Sequence, residues 1–328
     1  MAKSKQKSIW LKLLSGIFYI SLCALAIGVG VIGYVLKDSS VGKEVVMQSI
    51  RGTKPEAIFD KDSVTLLVLG CDEDRYYGGK QILSNSARSD MMLLTKLDFK
   101  KKRLTGVSIP RDLLVEMPGF RANKINAFHA MGGKDPERGK ALAKQAVEYV
   151  LGVNVDRVIT LNFEAFKDMI DLVGGVEVFV EKPLHYDDRR GNLHIHLDPG
   201  RQVLKGEDAM GFVRYRKGDS DFKRQERQKN LMFSFRERVM SQPGKLGDIA
   251  EKARELTGHA LDEKEIAAVA LFAQKIGSHN IKMGQVPVRE LERFYFLGLD
   301  YDKLNDTMVE YNFPEARPTL YHQYGYRQ

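Results

Sequence analysis

The sequence is poor in cysteine. Cys23 and Cys71 are the two cysteines in 328 residues. One lies in an uncharged run and the other ends an apolar segment, so we do not expect them to pair. Two cysteines cannot build a disulfide framework, which excludes the class of small cross-linked domains. Stability must come from a buried core, and the length suits one large domain or two small ones.

Several common enzyme signatures are missing as well. The sequence has no G-x-x-x-x-G-K-[S/T] loop, no H-E-x-x-H, no G-x-S-x-G and no paired C-x-x-C. Its one G-x-G-x-x-G match, from Gly28 to Gly33, lies inside an uncharged run. A dinucleotide fingerprint works only as a turn between a strand and a helix, so this match does not indicate a nucleotide site.

Charge of either sign is absent from residues 13–36. About 20 apolar residues cross a bilayer core of ~30 Å, whereas a cleavable signal has an apolar region of only about 7 to 15. We therefore predict a transmembrane helix over 13–36 behind a basic cytoplasmic arm, residues 1–12. The positive-inside rule then places residues 37–328 outside the cell membrane. Cleavage after Ala26 is the alternative.

The net charge does not indicate a nucleic-acid partner. The chain has 51 Lys and Arg against 43 Asp and Glu, a formal charge of +8. Four lysines of the basic arm supply half of this excess. An outer location also separates the remaining basic residues from DNA, so we expect no nucleic acid to bind.

The rest of the chain alternates between strand and helix patterns. Residues 37–61 are polar and predict a juxtamembrane segment or a first helix, and residues 314–328 predict a surface tail. Between them, residues 62–313 predict one α/β domain with a sheet covered by helices. The predicted strands are 64–70, 91–97, 104–109, 155–161, 176–180 and 281–288, and the predicted helices are 138–151, 163–173, 207–212, 219–240, 245–256 and 262–276.

Charged residues stand where three predicted strands begin or end. Asp72 follows the first strand, Arg88 and Asp90 precede the second, and Arg111 and Asp112 follow the third. Strand ends in open α/β sheets are the usual ligand sites. Two carboxylates there can hold Mg²⁺, which needs one or two carboxylates and keeps room for substrate phosphates. Solvated loop charges in ion pairs are the alternative interpretation.

A second group of charged residues surrounds the start of the predicted 219–240 helix. Guanidinium forks match phosphate oxygens, and a helix N-terminus favours an anion, so this group predicts phosphate binding. A solvated basic helix face is the alternative. With a candidate metal and without a nucleophile motif, the pattern indicates phosphate chemistry by positioning and charge neutralisation. The group consists of Arg214, Arg216, Asp221, Arg224, Arg227 and Gln228.

Two other side chains are considered and set aside. Cys71 ends an apolar run, so a small core residue is the preferred interpretation over a nucleophile. His194 and His196 lie on the same side of a possible strand, but the nearby sequence shows no third ligand, so a metal role is not predicted.

The ordered motifs resemble the LytR-CpsA-Psr family of cell-wall glycopolymer transferases. They run in the family's order over about residues 62–240, and the short arm, single span and outer domain also match the family's layout. The motifs are Leu67-Val68-Leu69-Gly70-Cys71-Asp72, Arg88-Ser89-Asp90, Ser108-Ile109-Pro110-Arg111-Asp112, Lys124-Ile125-Asn126-Ala127, Val173-Gly174-Gly175-Val176, Gly206-Glu207-Asp208-Ala209, Val213-Arg214-Tyr215-Arg216, Asp219-Ser220-Asp221-Phe222 and Arg224-Gln225-Glu226-Arg227-Gln228.

The resemblance implies an α/β/α sandwich with a central mixed sheet, and Mg²⁺-assisted transfer of an anionic glycopolymer from undecaprenyl diphosphate to a peptidoglycan hydroxyl. It makes Asp72, Asp90 and Arg111 the catalytic residues, and Asp72 and Asp90 the metal ligands. Either aspartate is a candidate base. Supporting roles fall to Asp221, Gln228, Lys124 and Asn126. The diphosphate-binding arginines are Arg88, Arg111, Arg214, Arg216, Arg224 and Arg227.

Two other functions fit the same residues. A polyprenyl diphosphate hydrolase uses the same site with water as the acceptor. A non-catalytic, membrane-bound binder or sensor of lipid-linked polymers needs the anion site but not the metal geometry. The sequence does not indicate an oligomeric state or the identity of the polymer.

Overall fold

The structure is a computed structural model that describes residues 39–71, 74–77, 80–83, 87–188, 193–215, 217, 221–242, 245–257, 260–291 and 296–314. The basic arm 1–12, the predicted span 13–36 and most of the predicted tail lie outside these residues. Among the helices it does describe, none has the length and apolar character needed to cross a bilayer.

The described chain alternates between strands and helices. The strands are β1 Ser63–Cys71, β2 Asp74–Tyr77, β3 Lys80–Leu83, β4 Ser89–Asp98, β5 Arg103–Ser108, β6 Leu114–Val115, β7 Asn123–Lys124, β8 Arg157–Asn162, β9 Val176–Val180, β10 Leu184–Asp188, β11 Leu193–Leu197, β12 Gly200–Leu204, β13 Ile281–Gln285, β14 Val288–Glu290 and β15 Leu297–Leu299. The α-helices are α1 Ser40–Arg51, α2 Pro55–Phe59, α3 Ala127–Ala130, α4 Pro136–Leu151, α5 Phe163–Leu172, α6 Gly206–Arg214, α7 Asp221–Met240, α8 Leu246–Leu256, α9 Glu263–Lys275 and α10 Tyr301–Glu310.

Five strands form a central mixed sheet in the order β13-β5-β4-β1-β8. Strands β1 and β8 pair in parallel, as do β5 and β13. Strand β4 is antiparallel to both of its neighbours, β1 and β5. The C-terminal ends of β1, β5, β8 and β13 therefore share one edge of the sheet with the start of β4. The predicted α/β class with a central mixed sheet is confirmed.

Helices cover both faces of this sheet because its central strands are apolar on both sides. On β1, Leu67 and Leu69 belong to one core, which includes Val147 of α4. Leu66 of the same strand belongs to the opposite core, which includes Ile266 of α9. Alternation along β1 thus divides its side chains between the two helical layers.

Helix α1 packs into the domain, although it falls in the polar stretch 37–61. Ser39 caps the helix by accepting a hydrogen bond from the Gly42 N–H at 2.9 Å, and its own hydroxyl donates to the Gly247 carbonyl at 3.0 Å. Val41 is fully buried. The Gln48 side chain donates to the Lys264 carbonyl at 3.0 Å. The first described helix is therefore part of the folded domain.

A third core lies beyond the β8 end of the sheet, where α5 begins. It joins two antiparallel strand pairs, β9 with β12 and β10 with β11, to helices α6 and α7. Lys167 of α5 links the helices, since its Nζ lies 2.8 Å from Glu164 and 2.6 Å from Glu207 of α6. Partial burial alone lowers the pKa of Lys167, but these hydrogen bonds outweigh it and raise the pKa.

Candidate active site

The register of the central sheet brings the strand-end residues together. Cys71 at the end of β1 pairs with Ser89 at the start of β4, and Ser108 at the end of β5 pairs with Leu93 of β4. Asp90 lies on β4 beside Ser89, and Arg111 follows β5 by three residues. Arg88 is exposed just before β4. The predicted edge of the sheet therefore carries these charged side chains.

Ion pairs connect the charged residues of this edge. The Arg111 Nη1 atom lies 3.0 Å from Asp90 Oδ1, and its Nε atom lies 3.6 Å from Asp112 Oδ2. Asp112 in turn pairs with Lys124 Nζ at 2.5 Å. Arg111 and Asp90 each keep about 40% of their side-chain exposure. At that exposure the pair contributes little to stability, and both groups are accessible to a ligand.

The backbone of Asn126 links Ser89 at the start of β4 to Arg111, which follows β5. The Ser89 N–H donates to the Asn126 carbonyl, and the Asn126 N–H donates to the Arg111 carbonyl, each at 3.4 Å. Both side chains are buried. Asn126 Oδ1 and Ser89 Oγ have no hydrogen-bond partner among the described residues. Buried polar atoms of this kind call for an explanation, and a bound ligand or ion is one.

Two further residues of this region, His129 and Phe296, were not predicted from the sequence. His129 is buried, and its Nδ1 lies 2.8 Å from the Ala87 carbonyl oxygen and 3.6 Å from Cys71 Sγ. Cys71 is fully buried in the core, as predicted. Lys124 Nζ lies 5.9 Å from the ring centre of Phe296. Isolated His and Phe residues carry no spacing signal, so their sequence did not point to this edge.

The second predicted group meets at the junction of α6 and α7. Arg214 is the last residue of α6, and Arg224 is partly buried on α7. Arg227 donates through Nε to the Phe212 carbonyl at 2.9 Å and through Nη2 to the Tyr215 carbonyl at 2.5 Å. Gln228 donates to the Val213 carbonyl at 3.4 Å. Arg227 and Gln228 therefore bind the C-terminal turn of α6.

Three predicted site residues cannot be placed. Asp72, Arg216 and the side chain of Asp221 lie outside the described residues. Within the described part, no group of three or more His, Cys, Asp or Glu side chains is already arranged to hold a metal ion. Mg²⁺ can bind through a single carboxylate when waters and substrate phosphates complete its shell, so the chemistry of Asp90 is compatible with a magnesium ligand. The Oδ1 atom of Asp90 is bonded to Arg111.

The profile of the LytR_cpsA_psr family matches residues 33–313. The chain belongs to this family. The match includes both charged groups described above, and it confirms the resemblance drawn from the ordered motifs. It begins near the end of the predicted span and continues through α10.

Curated bacterial relatives share about a quarter to a third of their aligned residues with this chain. It is 33% identical over 260 residues to the polyisoprenyl-teichoic acid–peptidoglycan teichoic acid transferase TagV of Bacillus subtilis, covering 74% of this chain and 63% of TagV. It is also 33% identical over 237 residues to TagT of Bacillus subtilis, which has the same type of name, covering 70% of each chain. The regulatory protein MsrR of Staphylococcus aureus is 26% identical over 265 residues, covering 78% of this chain and 75% of MsrR.

Solved structures of two of these relatives share the fold. The crystal structure of Bacillus subtilis TagV has a TM-score of 0.59 at 26% identity, covering 77% of this chain and 98% of that chain. A structure of TagT with bound octaprenyl pyrophosphate lipid has a TM-score of 0.53 at 27% identity, covering 77% and 90%. A structure of TagT bound to LI-WTA has a TM-score of 0.54 at 28% identity, covering the same shares.

Proposed function

We propose that this protein transfers an anionic glycopolymer from an undecaprenyl diphosphate carrier to a hydroxyl of peptidoglycan, with Mg²⁺ and at the outer face of the cell membrane. Its relatives TagV and TagT are named as transferases of teichoic acid from polyisoprenyl carriers to peptidoglycan. A structure of TagT holds octaprenyl pyrophosphate. Residues 13–36 serve as the single-pass anchor in this proposal.

The Asp90–Arg111 pair at the sheet edge is the observation that carries the proposal. It places a carboxylate and a guanidinium 3.0 Å apart and leaves both partly exposed. A diphosphate needs cationic forks for its oxygens and a metal ligand nearby, and this pair offers one of each. Asp112 pairs with both Arg111 and Lys124. These ion pairs orient Arg111 before a ligand binds.

The proposed reaction breaks the phosphoanhydride bond of the diphosphate and forms a phosphate ester bond to peptidoglycan. A peptidoglycan hydroxyl oxygen attacks the phosphorus that carries the polymer, and the P–O bond between the two phosphates breaks. Polyprenyl phosphate leaves with the electron pair of that bond, and the hydroxyl proton passes to a base. Asp72 or Asp90 takes the proton in this scheme. Arg88 and Arg111 neutralise the charge that develops on the phosphoryl oxygens.

The metal and the second arginine group complete the proposed site. Asp72 and Asp90 hold Mg²⁺, which supplies charge neutralisation at the diphosphate. Lys124 and Asn126 have supporting roles at the sheet edge. Lys124 pairs with Asp112, and the backbone of Asn126 bonds to Ser89 and Arg111. Arg214, Arg216 and Arg224 bind the diphosphate, while Arg227 and Gln228 fix the end of α6 from which Arg214 extends. Asp221 orders these arginines.

The test measures polymer transfer by the full chain in detergent. The protein receives a polyprenyl diphosphate-linked glycopolymer and peptidoglycan, with Mg²⁺ or with a chelator. We expect metal-dependent attachment of polymer to peptidoglycan. Arg111→Ala and Asp90→Asn are expected to lower the rate about 10²- to 10³-fold, the usual cost of losing one group that stabilises transition-state charge.

Arg103→Ala is the matched control, since Arg103 is exposed at the opposite end of the same strand β5. It is expected to keep the wild-type rate. Release of polyprenyl phosphate without attachment to peptidoglycan would identify a hydrolase at this site. Saturable lipid binding without any turnover, with peptidoglycan supplied, would identify a binder and contradict the proposed transfer.

A further inference from the structure

Helix α3 carries a buried histidine, His129, to which the proposed transfer gives no role. Its exposed fraction is 4%, although imidazole is a polar group. Its Nδ1 atom lies 2.8 Å from the Ala87 carbonyl oxygen. A carbonyl oxygen only accepts hydrogen bonds, so Nδ1 carries a proton and donates it. His129 is therefore bonded to the chain one residue before Arg88.

Close packing holds the His129 ring in this orientation. A Cβ added at Gly139 of α4 would lie 3.5 Å from the ring atoms Cδ2 and Nε2, and 2.7 Å from the His129 carbonyl oxygen. The backbone of α4 therefore lies directly against the histidine. On the side of the sheet, Cys71 Sγ at the end of β1 lies 3.6 Å from Nδ1. These contacts restrict rotation of the ring and keep Nδ1 facing the Ala87 carbonyl.

Both peptide groups next to Arg88 are hydrogen-bonded to the segment 126–129. The Ala87 carbonyl, in the peptide group that precedes Arg88, accepts from His129. The Ser89 N–H, in the peptide group that follows Arg88, donates to the Asn126 carbonyl at 3.4 Å. A peptide group is planar, so a hydrogen bond to one of its atoms restricts the orientation of the whole group. With both groups restricted, the direction of the Arg88 Cα–Cβ bond is restricted as well.

We propose that His129 is a positioning residue of the lipid diphosphate site, which orients Arg88 through the Ala87 carbonyl. This inference rests on the proposed function, in which Arg88 neutralises charge on the phosphoryl oxygens. His129 is buried and does not touch the ligand, whereas Arg88 is exposed. The hydrogen bond from His129 fixes the point from which the Arg88 side chain extends, so the guanidinium has fewer orientations to lose when it binds phosphate.

Three substitutions separate this hydrogen bond from the packing of the ring. Asparagine carries an amide nitrogen at the position of Nδ1, so His129→Asn keeps the donor and is expected to retain the wild-type rate. His129→Gln carries its amide one bond farther from the backbone, and His129→Leu has no donor. These two variants are expected to lower the rate about 10- to 100-fold, because a shift of about 1 Å in a binding group has an effect of this size.

The measured rate is the release of polyprenyl phosphate by the full chain in detergent, a product that transfer and hydrolysis share. Circular dichroism follows the melting of each variant, and the rates are compared at a temperature where every variant is fully folded. A role of His129 in stability alone predicts equal rates under this condition. A positioning role predicts that the rate depends on the donor at the Nδ1 position.

A double-mutant cycle shows whether His129 acts through Arg88. In a chain that already carries Arg88→Ala, His129→Leu is expected to lower the rate by less than about twofold, because the side chain that His129 orients is gone. Arg214→Ala provides the matched background, since Arg214 is a proposed diphosphate ligand on a different element, α6. There His129→Leu is expected to keep its full effect.

Two results overturn the positioning role. One is a wild-type rate in folded His129→Leu, and the other is a loss of equal size with and without the Arg88 side chain. Binding of a synthetic polyprenyl diphosphate by the wild type without turnover contradicts the proposed function instead. The same cycle is then measured on the dissociation constant of that lipid, and equal affinities of the wild type and His129→Leu overturn the role of His129. A wild type that neither binds nor cleaves the lipid contradicts both.

Discussion

The guanidinium of Arg227 is bonded to the protein itself. Two of its nitrogens donate to carbonyls at the end of α6, and its carbon lies 6.0 and 5.6 Å from the ring centres of Phe212 and Tyr215. Hydrogen bonds from charged groups contribute about 1.5 to 3 kcal/mol. We therefore expect Arg227→Ala to lower the free energy of unfolding by about 2 to 3 kcal/mol in urea titrations without ligand.

Two variants give this prediction its contrast. Arg227→Lys keeps the charge but loses the planar fork, so it is expected to recover only part of the stability. Asn230→Ala changes an exposed residue on the same helix and is expected to stay within about 0.5 kcal/mol of the wild type. Wild-type stability in Arg227→Ala, together with weaker lipid binding, would instead make Arg227 a direct ligand of the diphosphate.

The two charged groups show what a sequence predicts at the residue scale. Asp90 and Arg111 stand at strand ends, and adjacent strands in a sheet bring such ends together, so their proximity follows from the pattern, whereas the ion pair between them is seen in the structure. The direction in which the Arg227 side chain points does not follow from the sequence pattern. Spacing on α7 places it beside Arg224, but its partners are the last carbonyls of α6. Where α6 ends relative to α7 depends on tertiary packing, which local spacing does not contain.

Helix α6 depends on two glycines with different surroundings. A Cβ at Gly206 would lie 2.6 Å from the Lys167 carbonyl oxygen of α5, whereas a Cβ at Gly211 meets the Ile195 side chain at 3.2 Å. The backbone of α5 cannot move aside to make room for a methyl group as easily as the Ile195 side chain can. We expect Gly206→Ala to cost about 1 to 3 kcal/mol through overpacking, measured by thermal unfolding. Gly211→Ala is the matched control, with a smaller cost because alanine favours the helix interior.

At the element scale, the apolar runs predicted their strands closely. The run predicted over 64–70 is Ser63–Cys71 in the structure, and the helix predicted over 219–240 is Asp221–Met240. Helix α10 was not predicted, because its polar residues give a weak periodic signal. The reversed direction of β4 was also not predicted, since strand direction depends on pairing with distant residues.

The described domain has the mixed α/β fold class that the ordered motifs implied. The family and the mixed α/β class are confirmed, and the predicted transferase class agrees with the names of TagV and TagT. The anchor over 13–36 lies outside the described residues and stays a prediction. Composition supports that anchor, but neither composition nor the fold identifies the polymer, because the diphosphate that we propose binds at the sheet edge is common to many lipid-linked polymers.

Deletion of helix α1 tests where the folded domain begins. It buries Val41 and bonds to residues near α8 and α9, so a chain of residues 39–328 is expected to fold and to stay in solution, whereas the full chain sediments with vesicles. Removal of residues 39–52 as well is expected to lower the free energy of unfolding by about 3 to 5 kcal/mol, from lost burial and hydrogen bonds. Removing 315–328 instead deletes an equal length of predicted tail and is expected to change stability little. Equal stability after the two deletions would place α1 outside the cooperative unit.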